Sequence, residues 1–245
     1  MNDPVTIHRN IDALKKLIIA IDGPAGAGKS TVAQKVAQHL SYLYIDTGAM
    51  YRGITWKALR EGIDWSDTAG IAELAARTTI ALLAPTDPTD KQRVWVDQQD
   101  VTVEIRLPEV SQHVSQVAAI PAVRQILTAQ QQALGANGGV VMDGRDIGTA
   151  VFPQADLKIY LTASTRERTR RRFVELSAQG MAVDFEALEM AITKRDEADA
   201  ARDVAPLQVA SDAIIIDSDD HGIDSVVAMV LHQVESIQCS EAAAS

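Results

Sequence analysis

The apolar positions fall into two rhythms. Short continuous runs, each stopped by a glycine, an aspartate or a polar turn, occur at 17–22 (LIIAID), 42–45 (YLYI), 140–143 (VVMD), 157–161 (LKIYL) and 213–217 (AIIID). Runs this short and this rich in β-branched residues predict strands buried on both faces. Between them the spacing lengthens. In 29–40 (KSTVAQKVAQHL) the apolar positions are Val32, Val36, Ala37 and Leu40, which share one face of a helix. Strand and helix patterns in alternation predict an α/β fold with a parallel sheet.

Two regions break the alternation. Residues 78–106 hold three strand-like runs (TTIALLA, QRVWVD and VTVEI) joined by the turn-rich PTDPTDK and QQD, which predicts a small antiparallel sheet inserted in the chain. Residues 164–204 are charged and helical, with few large apolar side chains, as a surface lid or hairpin would be. An amphipathic helix over 221–237 closes the chain ahead of a tail ending in EAAAS, and residues 1–16 are a polar lead-in with no assigned role.

Composition narrows the function. The 245 residues suffice for one sizeable core with one or two small lobes, and 47% apolar content is that of a globular chain. A formal net charge of −10 argues against a non-specific nucleic-acid binder. The arginines nonetheless collect within 145–172 and again at Arg195 and Arg202, which suits a compact anionic ligand. A single cysteine, Cys239, excludes a disulfide within the chain, and the five histidines show no zinc-like pairing. No apolar run approaches a membrane span, and the first ten residues lack a secretory core, so the cytoplasm is the expected compartment.

The chemistry starts at residues 23–31. Gly23, Pro24, Ala25, Gly26, Ala27, Gly28, Lys29 and Ser30 fit G-x-x-x-x-G-K-[ST], followed by Thr31. Glycines let successive backbone N–H groups turn inward around phosphate oxygens, and the helix that follows points its positive end at the same place. In such a loop the lysine neutralises the β- and γ-phosphates and the Ser30 hydroxyl ligates magnesium. The strand before and the helix after supply the required context.

Phosphate loops serve switches, motors and kinases alike, so other residues must decide. Asp67-Thr68-Ala69-Gly70 spells a GTPase signature, but it follows a polar turn instead of an apolar strand, and Ser66 or Asp67 serves more simply as a helix N-cap. No N-K-x-D is present to read guanine. A second anion site weighs the other way. Asp46, Thr47 and Arg52 follow one strand, and Asp143, Arg145 and Asp146 follow another. Loops after parallel strands gather at the carboxyl edge of the sheet, which brings Arg52 and Arg145 toward the triphosphate, placed to hold a second phosphate as acceptor. For most of Arg166, Arg168, Arg170, Arg171 and Arg172, pairing with Glu167 and Glu175 on a solvated face is the simpler reading, with one or two reaching the triphosphate.

The set GPAGAGKST, IDTGAMYR, SQVAAIPAVR, DGRDIGT-VFP and RDEADAARDVAPL resembles the bacterial cytidylate kinases, in order and spacing, from about residue 17 to about residue 235. The resemblance implies the nucleoside monophosphate kinase fold, a P-loop NTPase core with a five-stranded parallel sheet. The CORE would comprise 17–46, 125–163 and 205–237, the NMP-binding region 47–124, the LID 164–204, and the tail 238–245. It implies transfer of the γ-phosphoryl group of ATP to CMP or dCMP with Mg2+, by a monomer. Thr47, where the family often has serine, and Arg52 would contact the acceptor. Arg145 and Asp146 would bind its phosphate and sugar. Ser115, Arg124 and Asp199 would read cytosine, and Arg195 and Arg202 would close over the phosphates. Lys29, Arg145, Arg195 and Arg202 would carry catalysis, while Asp143 would act on magnesium only through water. Relatives often carry more polar residues at Ala200 and Ala201, and some have Gly-Thr where this chain has Ser30-Thr31.

Base chemistry supports the cytosine readers independently. Cytosine offers an N4 donor beside N3 and O2 acceptors, so its reader needs acceptors for N4 and a donor for N3 or O2. Serine and aspartate meet the first need and arginine the second; a site so built rejects a base that leaves those groups unpaired. A kinase of UMP or AMP is the close alternative, and a nucleotide-binding switch the distant one.

Overall fold

The computed structural model describes residues 15–84, 87, 92–178 and 180–244; the first fourteen residues and most of the linker 85–91 lie outside them. Five strands, β1 (Ile18–Asp22), β2 (Leu43–Asp46), β6 (Val140–Gly144), β7 (Leu157–Thr162) and β8 (Ile214–Asp217), form one sheet in the order β2-β6-β1-β7-β8. All four pairings are parallel. The central β1 lies between β6 and β7, and its last four residues are buried, as its unbroken apolar run predicts.

On one face α1 (Lys29–Leu40) and α8 (Ile223–Ala244) pack on β1 and β7 through Val32, Val36, Val226, Val230 and Val234. A second cluster joins α2 (Thr47–Glu61), α3 (Thr68–Arg77), α4 (Pro108–Ala119) and α5 (Pro121–Gly135) around Met50, Ile54, Leu74, Val117 and Leu127. Asp67 caps α3, its Oδ1 accepting the Gly70 N–H at 2.8 Å, so the GTPase-like tetrapeptide is a helix start.

The insertion is a three-stranded antiparallel sheet of β3 (Ile80–Leu83), β4 (Arg93–Val96) and β5 (Gln99–Asp100). Its β4–β5 turn is Asp97-Gln98, both with positive φ (46° and 71°), the conformation a two-residue hairpin requires. The run 101–105 (VTVEI) is not the third strand. Asp100 Oδ1 accepts from both the N–H and the hydroxyl of Thr102, bending the chain into a 3-10 turn (Glu104–Arg106) whose Ile105 faces the core. Charged residues at 164–204 form a hairpin of α6 (Thr165–Ala178) and α7 (Phe185–Ala200). The expected tail also differs. α8 continues to Ala244, because 238–244 (QCSEAAA) contains no helix breaker and ends in good helix formers.

Candidate active site

The site lies at the carboxyl edge of the five-stranded sheet, where β1 hands over to the glycine-rich loop. The loop must turn hard against β7. Gly23 has φ +146°, and a Cβ there would lie 2.0 Å from the Leu161 carbonyl oxygen, so only glycine fits. The turn ends on Gly28, left-handed at φ 91°, as the N-cap of α1. Lys29 is buried and folds back over the loop, its Nζ donating to the Pro24 carbonyl at 2.7 Å. Burial, and then the nearby charge of Arg145, hold its pKa well below the usual lysine value.

Sheet register assembles the next group. β2 and β6 set Asp46 opposite Asp143. Asp143 accepts from the Ser30 hydroxyl at 2.8 Å and from the Tyr44 hydroxyl at 2.9 Å, and its backbone carbonyl accepts from Thr47 Oγ1 at 2.7 Å. Burial, with Asp46 adding negative charge, pushes the Asp143 carboxyl up to about 6. Asp46 caps α2 by accepting from the Ala49 N–H and pairs with Arg52, both at 2.8 Å.

A third carboxylate, Asp22, carries no motif signal in the sequence. It accepts from the N–H groups of Ile147 and Gly148 at 2.8 and 2.7 Å, tying the end of β1 to a π turn (Ile147–Val151) just past Arg145 and Asp146. Burial raises it to about 6. The signal was its place at a strand end directly before Gly23.

The arginines converge from three elements. Arg145, after β6, donates to Asp199 Oδ2 on α7 at 3.0 Å. Arg202 pairs with the other oxygen of Asp199. Arg195 is half-buried and lies close enough to Arg145 and Arg52 that, after desolvation, their charges help to lower it to about 10. The Nε atoms of Arg52, Arg195 and Arg202 are buried without a hydrogen-bond partner. Buried donors are nearly always satisfied, so three orphaned guanidinium N–H groups in one neighbourhood fit an anion. Arg124 pairs with Asp146 in the interior, donates to the Ala118 carbonyl at 3.1 Å and lies over the Tyr51 ring. Ser115 is half-buried on α4, which touches α7, but it is not hydrogen-bonded to Arg124 or Asp199. Thr31 is exposed on α1.

On α6, Arg170 and Arg171 pair with Glu167, and Arg172 with Glu175, as helix spacing predicts. Arg168 departs from that pattern. It is buried and donates to the Ala25 carbonyl of the loop and to Asp196 on α7.

The model of one family, described as cytidylate kinase, matches residues 19–236. The chain belongs to the cytidylate kinase family. A cytidylate kinase of Desulforamulus reducens is 55% identical over 217 residues, 89% of this chain and 96% of that relative. One of Pelotomaculum thermopropionicum is 51% identical over 218 residues, again 89% and 96%. A bifunctional pantoate ligase/cytidylate kinase of a Synechococcus strain is 52% identical over 205 residues, 84% of this chain. The matched part spans 38% of that bifunctional relative's length. Kinases of this family act on nucleotides, and the orphaned arginine donors lie beside the glycine-rich loop, with Arg145 and Arg195 both acting on Lys29.

Proposed function

We propose that this chain transfers the γ-phosphoryl group of ATP to CMP or dCMP, giving ADP and CDP or dCDP. The observation that carries the reading is the cluster of Arg145, Arg195, Arg202 and Arg52 beside the glycine-rich loop, with three buried Nε donors left unpaired. In this reading the loop 23–31 holds the triphosphate and Lys29 moves from the Pro24 carbonyl to the β- and γ-phosphates. Arg52 and Arg145 take the acceptor's phosphate, Asp146 its sugar, and Thr47 its near side. Arg195 and Arg202 close from the hairpin over the transferring group. Ser115, Arg124 and Asp199 read the base.

No general base is required. The acceptor phosphate has a second pKa near about 6 and is largely dianionic at neutral pH. Catalysis is then in-line positioning plus neutralisation of charge spread over the equatorial oxygens. Hairpin closure excludes water, which suppresses hydrolysis of ATP.

The donor set fits magnesium. Ser30 Oγ and the carboxylate of Asp143 are hard oxygens 2.8 Å apart, and the described residues hold no cluster of three metal-ligating side chains. A magnesium ion takes few protein ligands and keeps waters and phosphate oxygens. Ser30 would hold it directly and Asp143 through water; when bound it neutralises the β- and γ-phosphates. A monomer with ATP and CMP or dCMP as its partners, working in the cytoplasm, belongs to the same proposal; no helix among the described residues is long and apolar enough to cross a membrane.

The test is ADP release with magnesium-ATP and CMP in wild type and Lys29→Ala. CMP-dependent release that falls by at least about a hundredfold in the variant is expected. Release independent of CMP would overturn the reading.

A further inference from the structure

β2 is an edge strand, and one side of an edge exposes unpaired backbone groups. On that side, among the described residues, one side chain completes the ladder. Gln92 Nε2 donates to the Tyr44 carbonyl at 2.6 Å, and Gln92 Oε1 accepts from the Asp46 N–H at 3.1 Å. A parallel neighbour strand bonds the carbonyl of one residue and the N–H of the residue two further on. The Gln92 amide reproduces that pattern and stands in for a sixth strand. It is buried, and both of its polar ends are satisfied.

Gln92 directly precedes β4, so the amide ties the antiparallel insertion to the main sheet. Its own backbone carbonyl accepts from Arg106 Nη2 at 3.4 Å, at the end of the 3-10 turn after β5. Arg106 is half-buried and lies near Arg52 and Asp46, whose charges act on it, and burial and Arg52 together hold its pKa below the usual arginine value. Beyond Asp46 the connection continues. The Asp46 N–H bonded by Gln92 belongs to the residue that caps α2 with Oδ1 and holds Arg52 with Oδ2. Arg52 keeps its buried Nε without a partner.

We propose that Gln92 is a positioning residue for the acceptor: it docks the antiparallel insertion on the free edge of β2 and, through Asp46, aims Arg52 at the acceptor's phosphate. The inference rests on the reading of the site given above. The hydrogen bonds of Gln92 go to Tyr44, Asp46 and Arg106 and to neither the glycine-rich loop nor Lys29, so its effect should appear in acceptor binding and spare ATP.

The experiment measures kcat and both KM values for wild type, Gln92→Leu and Gln92→Glu at pH 5.5 and pH 8. Gln92→Leu is expected to raise the KM for CMP about tenfold and leave that for ATP within about twofold, as for a lost hydrogen-bonding partner acting on one substrate. Gln92→Glu discriminates further. A protonated Glu carboxyl is the shape of the amide, donating to the Tyr44 carbonyl and accepting from the Asp46 N–H. An ionised one sets an acceptor oxygen against the Tyr44 carbonyl oxygen and a charge beside Asp46 on β2, with Arg106 and Arg52 as the cations facing it. Its KM for CMP, taken relative to wild type at the same pH because CMP itself titrates, should be near unity at pH 5.5 and rise severalfold at pH 8.

Equal rises in both KM values for Gln92→Leu, or a ratio for Gln92→Glu that does not change with pH, would overturn the proposal. Where Gln92→Leu fails to fold, the pH dependence of Gln92→Glu decides alone. A wild type that does not turn over CMP overturns the reading of the site and this inference with it, whereas indifferent variants beside an active wild type overturn this inference alone.

Discussion

Single side chains at this site are held more tightly by their neighbours than their types suggest. Arg124 and Asp146 form a buried pair, and breaking such a pair by removing one partner leaves an uncompensated interior charge. Arg124→Ala should therefore destabilise the fold by about 3–5 kcal/mol. It should also lower turnover with CMP and bring little gain with UMP, measured as denaturant midpoint and kcat/KM together. A variant as stable as wild type and equally active on CMP would remove Arg124 from the site. The residues legible in the sequence were those carried by motif spacing: Lys29 and Ser30 in the loop, and Arg145 and Asp146 after a strand. Asp22, Tyr44 and Gln92 were not, because their partners are set by which strands lie side by side. Tyr44 reaches Asp143 only because β2 lies next to β6, and Gln92 meets β2 only because the insertion folds back on it.

At the scale of elements, Asp22 is what binds β1 to the turn just past Arg145 and Asp146. Its carboxyl, about 6 when folded against an ordinary 3.8, keeps in the folded chain a proton that the unfolded chain has already lost. Stability accordingly falls as pH rises through that interval, by roughly 3 kcal/mol in full. Asp22→Asn removes this dependence but leaves one of the Ile147 and Gly148 N–H groups facing an amide nitrogen. The variant should be less stable than wild type at pH 4 and recover ground by pH 7.5, followed by urea unfolding at each pH. A gap that is constant with pH would contradict the assignment. The parallel strands were legible because burial on both faces leaves an unbroken apolar run. The run 101–105 (VTVEI) misled because β-branched residues signal strands only where no side chain competes for the backbone, and Asp100 does so.

At the scale of the whole molecule, the hairpin and the sheet are joined across the cleft by polar ties. Arg145 on the sheet side and Asp199 on the hairpin side make one tie, and Arg168 to the Ala25 carbonyl and Asp196 makes another. Both are polar, and the apolar face of the hairpin is thin: Ile192 is the one large apolar side chain buried on α7. The hairpin should be the least protected part of the core-facing structure. Asp199→Asn in the nucleotide-free protein is expected to speed amide exchange across Phe185–Ala200 and leave α1 unchanged. Unaltered exchange there would show that Arg145 and Asp199 do not hold the hairpin closed. The hairpin was legible as a charged helical stretch; its closure over Arg145 was not, since the partners stand 54 residues apart in the chain.

The proposed function requires these arginines and carboxylates to accept cytidine monophosphate. The measurement that tests it most directly is kcat/KM with magnesium-ATP for CMP, dCMP, UMP, AMP and GMP in turn. CMP and dCMP should lead UMP by orders of magnitude, since a site built to pair the cytosine edge leaves buried groups unpaired with any other base. Equal turnover of CMP and UMP, or a lead by another nucleotide, would contradict the base-reading roles of Ser115, Arg124 and Asp199.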